Sequence, residues 1–196
     1  MPHPASGTGL PPSDGADDAP TESELPPSLH IDVVHDGGDW NLVAGADGLV
    51  ERAAAMAADE LGLSSAEVCV ALSNDAQVAE LNGSYRGKPS PTNVLSFPAV
   101  PLLPRDGEPR FLGDIVLALE TLQREAADLG VPLAHHMQHL VVHGLLHLLG
   151  YDHNADEEAK EMEGLEVRIL ARLGIADPYA GAGEPIEACR PESKRD

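Results

Sequence analysis

His143, His147 and His153 carry types and spacings suited to metal chemistry. The run His143-Gly144-Leu145-Leu146-His147 sets two imidazoles four residues apart, which on a helix means one face and about one turn of separation. It continues through Leu148-Leu149-Gly150 to Tyr151-Asp152-His153, and a glycine there can end a helix and turn the chain back. Three imidazoles on one bent piece of backbone suit a zinc ion with three protein ligands and an open fourth position. Zincin peptidases place a glutamate after the first histidine as general base. Here that position is Gly144, which has no side chain to take a proton. The spacing therefore points to zincin-like catalytic zinc without a standard peptidase base.

His139 shares the helical face of His143 and His147. It lies about 12 Å of helix rise from His147, at about 1.5 Å per residue. Donor atoms about 2.0–2.1 Å from one zinc do not come from both ends of such a stripe. Reach favours His143, His147 and His153 as ligands, with His139 behind them or in the core. A plainer reading is three histidines hydrogen-bonded on a partly buried helix, but Leu145, Leu146, Leu148 and Leu149 already supply the packing. Asp152 is read either as a partner fixing the tautomer of a ligand imidazole or as a turn residue after Gly150. Tyr151 is read as packing, and His135 and His136 as exposed. Elsewhere, Arg86 and Lys88 form the densest basic spot in a cation-poor chain. A guanidinium can grip a phosphate bidentately and stabilise charge building on it; an ordinary solvated loop is the alternative.

The elements that must hold these residues read as an α+β domain with a small mixed β-sheet, the zinc site lying on a long helix near the C-terminus. Strands are expected over 29–34, 67–72, 94–97 and 115–119. Helices are expected over 47–61, 74–85, 120–129, 132–149 and 155–173, with an Asn74 cap, a proline in the first turn of the fourth and an Asn154–Glu157 capping box on the last. Residues 1–28 are rich in proline, glycine and acids and read as a disordered tail. Residues 29–175 read as a single catalytic metal-binding domain, and 176–196 as a flexible C-terminal tail. With only Cys69 and Cys189 no disulfide framework is expected, Cys69 reading as a small buried thiol. No apolar run long enough for a membrane span and no secretory signal is expected, so the reading is cytoplasmic. The formal charge of −21 argues against generic nucleic-acid binding, which uses a basic patch. The acidic run from Asp156 to Glu166 reads as a solvated face.

Four blocks, in this order, resemble one family: Leu81-Asn82 with Tyr85-Arg86, Pro91 to Pro98, Leu112-Gly113-Asp114-Ile115, and His139 to His153. The chain is similar to the YbeY endoribonucleases, also called rRNA maturation factors, over about residues 30–175. The resemblance implies a zinc-dependent endoribonuclease specific for single-stranded RNA. Its expected setting is 16S rRNA 3′-end maturation and ribosome quality control, on the small subunit or 70S ribosome, with partner exonucleases. It implies His143, His147 and His153 as ligands of one Zn2+ per chain and Arg86 as the catalytic cation. His139, Asp152 and Lys88 are expected behind the ligands or against substrate. Asn93 stands where many members have Asp, and the acidic N-terminal tail departs from the pattern. With Gly144 supplying no base, the nucleophile is either water activated at the metal or the RNA 2′-OH. Two rivals stand beside this reading: a metal hydrolase of another substrate, and a non-catalytic ribosome-assembly factor with structural zinc. The second gains from the acidity and from few stacking aromatics.

Overall fold

A run such as Val68-Cys69-Val70-Ala71-Leu72 favours a buried strand because β-branched side chains fit a pleated surface. The computed structural model describes residues 29–100, 108–153 and 155–180. The expectations for residues 1–28 and 181–196, including Cys189, lie outside those residues. The described strands are β1 (His30–His35), β2 (Ala66–Ser73), β3 (Val94–Pro98) and β4 (Arg110–Ala118). The helices are α1 (Ala46–Glu60), α2 (Asp75–Arg86), α3 (Leu119–Leu129), α4 (Leu133–Leu148) and α5 (Asp156–Arg172). The α+β class and the small mixed sheet expected from sequence are both present.

The strands form one sheet in the order β1-β2-β4-β3. β1 and β4 flank β2 in parallel, and β3 runs antiparallel to β4 as an edge. A parallel pair needs a crossover, and α1 provides it between β1 and β2. Side chains of β4 alternate between two cores. Ile115 and Leu117 join α1, α4 and α5, whereas Val116 and Ala118 join Val78 of α2 and Leu95 of β3. Val50, Ala53, Ala54 and Ala57 of α1 are fully buried, as are Met137, Val141, Val142, Leu145 and Leu146 of α4. Small side chains on α1 let it lie close to α4, which leaves the α4 histidines on the remaining open side.

β4 begins at Arg110, earlier than the apolar pattern suggests, because a bulge carries the strand past Gly113. Glu67 pairs with Phe111 and Val68 with Gly113, so Leu112 is the extra residue. Gly113 has φ +134°, and a Cβ there would lie 2.2 Å from the Phe97 carbonyl oxygen. The Asn74 cap is present, its side chain accepting from the Gln77 amide. The cap of α5 differs: Ala155 occupies that position with no side-chain bond, and Asn154 lies outside the described residues. Cys69 is half-buried rather than buried; burial, then Asp114 and Asp32, push its thiol pKa up. Among the described residues, no helix is long and apolar enough to cross a membrane.

Candidate metal centre

His143 and His147 project from successive turns of α4 toward the open side of the sheet. After α4, Gly150 takes φ +93°, and the chain doubles back so that His153 returns beside them. The three offer ring nitrogens that all lie within 4.8 Å of one another. The His153 ring centroid is 5.8 Å from that of His143 and 5.3 Å from that of His147.

Hydrogen bonds behind the rings decide which nitrogen faces forward. His147 Nδ1 lies 3.0 Å from the Tyr151 carbonyl oxygen. A carbonyl only accepts, so Nδ1 carries the proton and Nε2 of the neutral ring is a lone pair. His143 Nδ1 lies 2.7 Å from Glu166 Oε1. Burial raises the Glu166 carboxyl, but hydrogen bonds from His139, His143 and Tyr179 outweigh it and hold its pKa down at about 2. The carboxylate is therefore an acceptor, and His143 takes the same tautomer. The two Nε2 atoms then face each other at 3.0 Å, lone pair toward lone pair. That arrangement is repulsive unless a cation lies between or beside them, so the donor set fits a metal. Burial, then His143 and His153, lower the His147 pKa against opposing effects of the Tyr151 carbonyl and Asp152. The imidazole is thereby kept in the neutral form that binds metal.

The centre opens into a cavity of about 560 Å³ whose lining includes Arg86, Asn93, Ser96 and Asp152 with the three histidines. Arg86 reaches it from the last turn of α2, which Gly87 ends in the left-handed conformation. Among the described residues no carboxylate pairs with Arg86, which leaves its guanidinium available for an anion.

A family model described as Endoribonuclease YbeY matches residues 42–174. The chain belongs to the YbeY endoribonuclease family. A Rhodopseudomonas palustris protein named Endoribonuclease YbeY is 53% identical over 153 residues, covering 76% of this chain and 80% of that protein. A Rhodospirillum rubrum protein of the same name is 52% identical over 175 residues, covering 83% and 86%. The solution structure of TM1509 from Thermotoga maritima aligns with a TM-score of 0.47 and 23% identity, covering 82% of this chain and 99% of that one.

The residues singled out from sequence divide by position. His143, His147, His153, Arg86 and Asp152 meet at one cavity. Asp152 also accepts from the His153 amide at 2.8 Å, the turn role foreseen for it. Lys88 is exposed and is not among the residues lining that cavity. His139 stands one turn before His143 on the same face, its Nε2 3.0 Å from Glu166 Oε2. His136 corrects an expectation of exposure: it is 7% exposed and bonded to Glu125 Oε2 at 2.8 Å. The same carboxylate oxygen accepts from Asn93 Nδ2 at 2.9 Å. An amide at position 93 therefore suits Glu125, where an aspartate would set two carboxylates face to face.

Glu166 is the residue that sequence reasoning missed. It was counted with the solvated acidic face of α5, yet it is fully buried. The signal was available in the spacing, since Met162, Glu166 and Ile169 share one helical face. Tyr179 was missed too, lying beyond the boundary at 175. Its hydroxyl donates to Glu166 Oε2, and burial followed by that bond pushes its pKa up.

Proposed function

We propose that this chain is a zinc-dependent endoribonuclease specific for single-stranded RNA that acts in 16S rRNA 3′-end maturation and ribosome quality control. The observation that carries the chemistry is the convergence on one cavity of three imidazoles and a guanidinium that pairs with no carboxylate among the described residues. The residues that would hold the ion are His143 and His147, through the Nε2 atoms that Glu166 and the Tyr151 carbonyl leave free, together with His153 beside them. Zinc bound there would supply Lewis-acid polarisation of a phosphoryl oxygen or of water.

The chain's own residues do the rest. Arg86 grips the scissile phosphate and offsets the negative charge that grows on its oxygens. Glu166 and the Tyr151 carbonyl fix the ring orientations. Gly144 offers no group to take a proton, so the nucleophile is water at the centre or the RNA 2′-OH. RNA carrying a 2′-deoxy sugar at the cut site separates them, and continued cutting rules out the 2′-OH. The names of its relatives support RNA as substrate; the ribosomal setting and the exonuclease partners follow from the resemblance, and the cytoplasmic location from the sequence's lack of an expected membrane span or secretory signal. Residues 29–175, with Tyr179, serve as the single catalytic domain.

Metal analysis of the purified protein, paired with cleavage of unstructured RNA, tests this reading. Arg86→Ala should keep the metal and the fold while losing about 10²–10³-fold in cleavage. Casein in parallel addresses a peptidase activity. A wild-type protein that holds zinc but cuts no RNA favours the non-catalytic assembly factor.

A further inference from the structure

We propose that Tyr85, packed edge-on against Phe97, is a stacking platform for an unpaired nucleobase beside the cut site, and that this base rather than charge holds the RNA. The proposal rests on the endoribonuclease reading above and deepens it.

Aromatic rings are scarce in this chain: one Trp, three Tyr and two Phe. Trp40 is 3% exposed, and its indole N–H donates to the Gly37 and Ser73 carbonyls. Tyr179 is committed to Glu166. Tyr85 is the opposite case, at 74% exposed. Its ring centroid lies 4.7 Å from that of Phe97 with the planes at 70°. Phe97 packs against the core of Val78, Leu95, Val116 and Ala118, so the partner beneath Tyr85 is anchored. A ring held by packing yet open over most of its surface loses little conformational freedom when a base stacks on it.

Its place in the fold ties it to the metal centre. The next residue, Arg86, lines the cavity, and so do Ser96 and Pro98 on either side of Phe97. β3 is the edge of the sheet, with Ser96 on the histidine side and Phe97 on the other. A strand whose phosphate sits at Arg86 and which leaves across that edge meets Tyr85 with a flanking base.

Charge makes such a contact necessary. The formal net charge is −21, so the overall field repels a polyanion, and among the described residues a single guanidinium lines the cavity. Stacking does not depend on charge and tolerates any base, each stack contributing roughly 5- to 150-fold in affinity. With one or two phosphates engaged, log affinity should fall with log salt at a slope of only about −0.7 to −1.4.

The test uses the zinc-loaded full chain and a short single-stranded RNA. Tyr85→Ala should raise KM at least about fivefold and leave kcat within about twofold, whereas Tyr85→Phe should match wild type. Tyr85→Leu, which keeps an apolar contact with Phe97, should behave as Tyr85→Ala does and covers any folding defect in the alanine variant. On RNA made abasic at the flanking nucleotide, wild type and Tyr85→Ala should become equal. Unchanged KM in folded Tyr85→Ala and Tyr85→Leu overturns the platform, as does independent multiplication of the two losses. A binding slope steeper than about −3 overturns the secondary role of charge. Should wild type cut no RNA, the enzyme reading fails on its own; anisotropy with the same labelled RNA then decides the platform by whether Tyr85→Ala binds at least about fivefold more weakly.

Discussion

Glu166 serves two histidines with one carboxylate, His143 through Oε1 and His139 through Oε2, while Tyr179 donates to the second oxygen. A buried charge without such partners would be strongly destabilising; with three donors it becomes a fixed orienting group. Glu166→Gln replaces the carboxylate with a neutral amide and loosens control over the His143 ring. Zinc affinity measured by chelator competition should fall about 10- to 100-fold with circular dichroism unchanged. Equal affinity would reduce Glu166 to a packing residue. The histidine cluster was legible in the sequence because its spacing is local. Glu166 was not, because an acidic helix face looks solvated until a second element covers it.

At the level of elements, the approach of α4 to the sheet accounts for Gly144. A Cβ there would lie 3.0 Å from Ile115 Cγ2 and 3.2 Å from Ser96 Oγ. The Ser96 hydroxyl also donates to the Gly144 carbonyl at 3.3 Å. Ile115 is fully buried on a strand with neighbours on both sides, so it has little room to yield. Gly144→Val should therefore lower stability by about 1–3 kcal/mol, seen as a melting temperature reduced by several degrees. Gly144→Glu, which restores the zincin motif, should lose stability and gain no peptidase activity on casein. The sequence marked this glycine as a missing base; the fold adds that α4 lies too close to β3 and β4 for a base there.

For the whole molecule, acid stability and the reach of the chain beyond α5 follow from the same buried network. The Glu166 carboxyl has an ordinary value of 4.5 and is held at about 2 when folded. A depressed folded value means its contribution is complete above about pH 4.5 and is lost as pH falls toward about 2. The loss is on the order of 3 kcal/mol. Urea unfolding of metal-free protein at pH 7 and pH 3 should show wild type losing more stability than Glu166→Gln; parallel losses would contradict this. Tyr179 predicts a length dependence as well. Chains stopped after Ala180 should retain zinc against a chelator as the full chain does, and chains stopped after Ile175 should release it more readily. Equal retention would show that the Tyr179 contact does not support the centre.

The sequence by itself determined the three-histidine motif, the elements that repeat with local period and the family, since each depends on residues near one another along the chain. It also flagged Arg86 as a cation suited to phosphate, though not its place beside the histidines. Tertiary structure decided what lies behind and beside those residues. Glu166 reaches His143 from α5, Tyr179 backs Glu166 from beyond that helix, and Arg86 meets the histidines only because α2 and α4 border the same edge strand. The bulge at Gly113 and the burial of His136 belong to this second group. Each depends on contacts between segments remote in sequence, which local periodicity does not encode.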